Sequence, residues 1–354
     1  MSAVCALGLL ATASCDSVIY DDELDCSTKI KFVFKKHRQA LNAIDGKATD
    51  VFASTVGSVH LYIYDAETGE LVFEKYEKTD NLKTESDLKI GTGNDKCYMA
   101  VDLEPGVYHL VAWCGLDEYD RNNAFSLGDG TRAGYAYSEC SVRLAKQTGL
   151  PVNEAKYESV YHGAVEKAEV VLNYPSVIPV ELTKDNNDIT VWVQHNTETF
   201  APGEYEVVFT DANTTMRYED NVLMPTEPVE YRPYSTSLLE SSTEFNGYPV
   251  RAGALVAHLS TSRLVDGHMD DATIEVRNRE GRTIFSIPFI KYVLEMQTYT
   301  TNKDQYQYYL DCEDTYNCSF FFAGEEDEWV PVRIIINNWV IVPEQSGSVG
   351  GSGQ

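Results

Sequence analysis

Apolar and polar residues alternate strictly along many short stretches of this chain. Ile30, Phe32 and Phe34 alternate with Lys29, Lys31 and Lys35. Val59, Leu61 and Ile63 alternate with His60, Tyr62 and Tyr64, and Ile189, Val191 and Val193 with Thr190, Trp192 and Gln194. A strand sends successive side chains to opposite faces, so period two buries one set and wets the other. Antiparallel sheets covered on one face read this way. The 23 tyrosines, against 13 phenylalanines, suit such sheets, because the ring packs while the hydroxyl stays hydrated.

Turn residues fall where hairpins need them. Asp65-Ala66-Glu67-Thr68-Gly69 separates Val59–Tyr64 from Leu71–Phe73, and Asn278-Arg279-Glu280-Gly281 separates Ile274–Val276 from Thr283–Ile287. Pro-Gly-x-Tyr occurs twice: Pro105 to Tyr108 leads into Leu110–Trp113, and Pro202 to Tyr205 into Val207–Phe209. Each half thus holds an opening strand, a glycine hairpin and a Pro-Gly-x-Tyr strand. The expected fold is all-β, with two antiparallel β-sandwich domains in tandem and short helices in loops only. The candidate helices are Lys36–Ile44 and Asn153–Tyr161. The division is expected near Tyr174-Pro175, giving domains at 26–175 and 176–344. A Gly/Ser tail is expected at 345–354.

The first fourteen residues carry no charge, and Val4–Ala13 is almost wholly apolar or small. That stretch is too short for a transmembrane helix and fits a secretory signal. Thr12-Ala13-Ser14 then places small residues before Cys15, the pattern at which lipoprotein signals are cleaved and the cysteine acylated. No Lys or Arg precedes the apolar stretch, a departure from the usual signal. Residues 15–25 hold Asp16, Asp21, Asp22, Glu23 and Asp25 and read as an acidic, lipid-tethered linker. The formal net charge of −27 disfavours nucleic acid and anionic lipid as partners.

Several motifs occur in the order found in one family. They are Asp50-Val51-Phe52 with Gly57–Asp65, the stretch Asp102–Leu116, Tyr161-His162-Gly163, Ser260–Leu264, Tyr309-Leu310-Asp311 and Asn337-Asn338-Trp339. In these the chain resembles the FimB-type fimbrial anchor and minor fimbrial subunit lipoproteins of Bacteroidales. The resemblance implies transthyretin-like sandwiches and a lipid anchor (palmitate on Cys15) in the cell outer membrane. It also implies a surface-exposed protein that anchors or nucleates a fimbria and serves cell adhesion. Cys312 and Cys318 depart from the family pattern, which has a charged and an apolar residue there.

Cys5 lies in the signal and Cys15 would carry lipid. The remaining six cysteines allow 15 pairings, and sequence alone does not choose. If Glu104–Val107 is a hairpin tip, Leu103 faces Tyr108, and counting outward places Cys97 opposite Cys114, at bonding distance. Cys312 and Cys318 flank a turn-like segment, 313–317, and are the second candidate disulfide. Cys26 and Cys140 are left over. Export permits such bonds.

Nothing reads as an active site. The seven histidines show no His-x-x-x-His and the cysteines no Cys-x-x-Cys, so no metal site is expected. His60, His109 and His195 fall at strand positions, and His162 before Gly163 reads as a turn. There is no Gly-x-Ser-x-Gly. Asp185–Asp188 and Glu325–Glu328 read as solvated loops rather than calcium sites. Tyr306 and Tyr308, two apart, read as strand before glycan platform. The expectation is a non-enzymatic protein without cofactors, binding fimbrial subunits by non-covalent strand-edge or face contacts. The alternative is a surface adhesin for a glycan or host protein. The closing strand candidate, Val332–Ile336 with Trp339–Val342, is followed by a poor donor strand, so this chain is expected to offer an acceptor edge or face.

Overall fold

The computed structural model describes residues 27–34, 52–116, 125–127, 141–144, 152–153, 156–172, 174, 176–196, 199–217, 228–239, 244–245, 248–249, 253–295, 305–325 and 328–341. In chain order the strands are β1 (Thr28–Phe34), β2 (Ser58–Asp65), β3 (Leu71–Lys78), β4 (Tyr98–Val101), β5 (Gly106–Cys114), β6 (Phe125–Leu127), β7 (Ser141–Leu144), β8 (Val152–Asn153), β9 (Tyr161–Val170) and β10 (Val177–Lys184). Then come β11 (Asn186–His195), β12 (Tyr205–Asp211), β13 (Thr215–Arg217), β14 (Val229–Tyr231), β15 (Ser235–Leu239), β16 (Glu244–Phe245), β17 (Tyr248–Pro249) and β18 (Ala254–Ser262). The last are β19 (Thr273–Asn278), β20 (Thr283–Pro288), β21 (Thr315–Glu325), β22 (Glu328–Ile336) and β23 (Trp339–Ile341). Short helices α1 (Phe52–Thr55), α2 (Phe289–Glu295) and α3 (Tyr306–Cys312) lie between strands.

A seven-stranded sheet in the order β3-β2-β5-β9-β10-β1-β4 forms the first half. Its distant strands share one core: Ile30 and Phe32 of β1 and Met99 of β4 cluster with Leu61, Ile63 and Leu110 of β2 and β5. The sheet therefore rolls over on itself, and Phe52 of α1 plugs the core by stacking on Phe32 at 5.8 Å between ring centroids. The second half is a sandwich of a six-stranded sheet, β15-β18-β11-β21-β22-β23, and a five-stranded one, β20-β19-β12-β14-β8, whose edge strand β8 comes from the first half of the chain. Val191, Val193 and Phe320 from the first meet Val207, Phe209, Ile274 and Val276 from the second in a common core. The all-β, sandwich-like reading of the alternation holds, as do both glycine hairpins, β2–β3 and β19–β20.

Several local expectations give way. Alternation on β2 implied one wet face, yet both faces are covered. Val59, Leu61 and Ile63 enter one core, while Tyr62 and Tyr64 join Val111 and Trp113 in the other. The expected hairpin between residues 97–101 and 108–114 does not form. β4 pairs with β1, and β5 lies between β2 and β9, so Cys114 faces Val59 and Tyr161 rather than Cys97. Among the described residues no disulfide joins Cys97, Cys114, Cys312 or Cys318. Of the 153–161 helix candidate, the described residues 156–160 form no helix, β8 ends at Asn153 and β9 begins at Tyr161. Tyr306 and Tyr308 stand on α3, not on a strand, because Tyr306, Tyr309 and Leu310 at helical spacing pack on the core. Cys15, Cys26, Cys140, the 36–44 helix candidate, the signal, the acidic linker and the tail lie outside the described residues.

The passage between halves is a strand, not a linker. β10 pairs with β1 in parallel and with β9 antiparallel, so by pairing Val177–Lys184 goes with the first sheet although it follows the division expected at 175. One residue, Asp185, separates it from β11. Asp185, Asn186 and Asn187 are buried and not a solvated loop. His162, expected in a turn, is a fully buried β9 residue whose Nδ1 lies 2.6 Å from Asp185 Oδ1. The backbone N–H of Val160 donates to Asn186 Oδ1 at 3.0 Å, and Lys184 Nζ donates to Asp314 Oδ2 at 3.0 Å. Nearby, Arg263 grips Asp311 bidentately, with both N–H···O distances 2.8 Å.

Candidate partner-binding edge

A sheet edge presents unpaired backbone groups, and proteins normally guard it with charge, proline, bulges or brevity. Five of the six edges of the three large sheets are guarded in this way. β3 carries Glu74, Lys75, Glu77 and Lys78. β4 has four residues and a bridge from Lys83 to Tyr98, while β23 has three residues and β8 two. β20 carries a bulge at Ile284 and ends on Pro288. The sixth, β15, reads Ser235-Thr236-Ser237-Leu238-Leu239, with neither charge nor proline. It pairs with β18 on one side, from Ser235 opposite His258 to Leu239 opposite Ala254. Residues 235–238 are exposed.

A groove of about 700 Å³ runs beside this edge. Thr236, Ser237 and Leu238 line it from β15, Leu255 from β18, and Tyr205 and Glu206 from β12. Two turns build its far wall. Pro202-Gly203 turns the chain into β12, with Gly203 at φ +71° and the backbone N–H of Ala201 donating to Glu204 Oε2 at 2.7 Å. Asn278, opposite Tyr205 in the β12–β19 register, folds the second turn: its Oδ1 accepts from the backbone N–H of Arg282 at 2.9 Å. That turn presents Arg279, which is exposed and makes no ion pair among the described residues. The floor is rigid, because Tyr205 packs on Trp329 at 4.4 Å between centroids and Trp329 on Phe322 at 5.1 Å.

Charge on the groove wall is largely compensated. Arg232 pairs with Glu206 at 3.5 Å and with Glu230 at 3.1 Å, and Arg277 pairs with Glu230 at 2.6 Å and Glu275 at 2.8 Å. Burial pushes the Glu230 carboxyl up, but the Arg277 and Arg232 hydrogen bonds outweigh it and hold it below its ordinary value. The wall is therefore a zwitterionic ladder with one uncommitted guanidinium, Arg279. Such a groove can seat an extended backbone along β15 and side chains over Leu238 and Leu255.

The expectation of an acceptor edge or face names no strand, and 235–239 lack the alternation that marks buried strands. The uncharged run after Pro233 was the readable signal. The structure does not bring together any of the cysteine or histidine candidates in this groove. Among the described residues, no three His, Cys, Asp or Glu side chains are placed to hold a metal ion. No described helix is long and apolar enough to cross a membrane.

Residues 22–344 match the family of fimbrillin-A associated anchor proteins Mfa1 and Mfa2. No curated protein matches in sequence. Among solved structures, a candidate adhesin from Bacteroides thetaiotaomicron is 25% identical, with a TM-score of 0.69, over 89% of this chain and 97% of that one. A candidate polysaccharide-binding protein from the same species is 19% identical, with a TM-score of 0.69, over 91% and 99%. The fimbrial anchor protein Mfa2 from Porphyromonas gingivalis is 16% identical, with a TM-score of 0.62, over 89% and 98%.

Proposed function

The chain belongs to the family of fimbrillin-A associated anchor proteins, and from that premise we propose that it holds or nucleates a fimbria at the outer membrane. Membership gives it a fimbria-associated, adhesive and structural role, in a family that is not one of enzymes. On this reading Cys15 carries the lipid, residues 15–25 form the acidic leash, and β15 with its groove receives a fimbrial shaft subunit without covalent chemistry. The observation that carries the partner side is the unguarded β15 edge beside a rigid-floored groove.

A glycan ligand fits the groove less well. Its aromatic side chain, Tyr205, is 8% exposed and already spent on Trp329, leaving little ring for a sugar to stack on. The backbone of a protein partner asks only for the edge and a place for side chains.

The test is made in a fimbriated strain that expresses this chain. Deleting its gene is expected to release fimbriae into the medium, and affinity-purified chain is expected to bring the shaft subunit with it. Fimbriae that stay cell-bound in the deletion strain, with no subunit copurified, would overturn the reading.

A further inference from the structure

We infer that the end of the first sheet where the chain enters it is a second membrane contact, an apolar tip that dips into the interface of a neutral or zwitterionic lipid surface. This rests on the Cys15 reading above. β1 starts at Thr28 beside β10, with the backbone N–H of Lys29 donating to Ser176 O at 2.8 Å. The chain therefore enters next to the β9–β10 turn. That turn is closed by the Tyr174 N–H donating to Val171 O at 3.2 Å. It presents Val171, Leu172 and Tyr174 at 51%, 68% and 66% exposure, with Val177 beside them at 46%. Three exposed apolar side chains thus gather on one turn, with Val177 at the start of β10 beside them.

Topology fixes which way this end points. Gly106 faces Val170 and Asp65 faces Tyr108, so the Asp65–Gly69 turn and Pro105 share it. His162, Lys184 and Asp185 mark the opposite end, where β11 departs into the second half. The β15 groove lies beside the Gln194 end of β11, because Leu239 pairs with Ala254 and Ala254 with Gln194. Twelve residues lead from Cys15 to Ser27. Fully extended they span about 40 Å, and as a coil much less, so lipid on Cys15 keeps the tip near the headgroups.

The chemistry of the tip selects the lipid. Leucine, valine and tyrosine partition into the interface, the tyrosine with its hydroxyl in the headgroups. Exposed Glu67, Asp102 and Glu104 ring the same end and repel anionic headgroups. The contact is therefore with phosphatidylcholine- or phosphatidylethanolamine-like surfaces, weakened on phosphatidylglycerol.

Hydrogen exchange on vesicle-tethered protein reads this directly. In one arm the native chain is reconstituted into phosphatidylcholine vesicles. In the other, the chain from Asp16 onward carries an N-terminal hexahistidine and is held on nickel-chelating lipid in phosphatidylcholine or phosphatidylglycerol. Amides of 168–178 are expected to exchange several-fold more slowly when tethered on phosphatidylcholine. The protection is expected to be lost in Leu172→Asp/Tyr174→Asp and reduced on phosphatidylglycerol, with 235–239 unchanged. Equal exchange of 168–178 tethered and free, or protection that survives the double substitution, overturns the membrane contact. A native chain whose mass carries no lipid overturns the Cys15 reading instead, and the nickel arm keeps the two failures apart.

Discussion

His162 Nδ1 and Asp185 Oδ1 lie 2.6 Å apart, and neither side chain touches solvent. The pair ties β9 to the single residue that joins the two halves. Removing one partner of a buried pair strands the other, at a typical cost of about 3–5 kcal/mol. Asp185→Ala and His162→Ala are each expected to lower the unfolding free energy by about that much. The double substitution should cost less than the sum of the singles, since the two share one interaction. Chemical denaturation of the four proteins measures it, and strict additivity would contradict the coupling.

His268 Nδ1 stands 2.6 Å from Asp211 Oδ1 at the other end of β12. The hydrogen bond to Asp211 raises the imidazole above its ordinary 6.5, against an opposing effect of burial. A raised folded value means the stabilising contribution is fully present below about pH 6.5 and is lost as pH rises through the folded value. Wild type minus His268→Gln stability should therefore shrink from pH 5.5 to about pH 8.5. A difference that grows with pH would contradict the assignment.

Burial pushes the Cys114 and Cys318 thiols far up, so neither is a thiolate at neutral pH. Both are expected to resist iodoacetamide in the folded protein and to react, with Cys97 and Cys312, in urea without any reductant. A disulfide-linked peptide joining Cys97 to Cys114, found by mass mapping, would contradict the register described for β4 and β5.

That register shows where the sequence stopped being legible. Pro105-Gly106 is a good local turn signal, and adjacent segments usually pair. Yet β4 joins β1, some seventy residues upstream in sequence, because the sheet rolls over and β1 needs a partner opposite β10. Alternation identified β2 correctly but could not say that its His60-Tyr62-Tyr64 face would also be covered, since tyrosine serves wet and dry faces alike. The α3 helix was readable in principle. Tyr306, Tyr309 and Leu310 carry helical spacing, and Gln307 Nε2 donates to Asp311 Oδ1 at 2.9 Å, a second i,i+4 contact. The β15 edge carries no alternation, because a strand exposed along Ser235–Leu238 needs none, and only the uncharged run after Pro233 marks it.

Guarding that edge should abolish its use without unfolding the protein. Ser237→Lys places a charge on an exposed position, where substitutions typically change stability by less than about 0.5 kcal/mol. Capture of the shaft subunit is expected to fall at least tenfold, with an unchanged melting temperature. Unchanged capture would move the contact elsewhere.

A photo-crosslinking residue at position 237, in cells bearing fimbriae, tests the central claim most directly. The account predicts a covalent adduct with a fimbrial shaft subunit, absent when the probe is moved to Lys75 on the guarded β3 edge. A probe at 237 that captures no fimbrial protein, or captures one equally well from position 75, would contradict it.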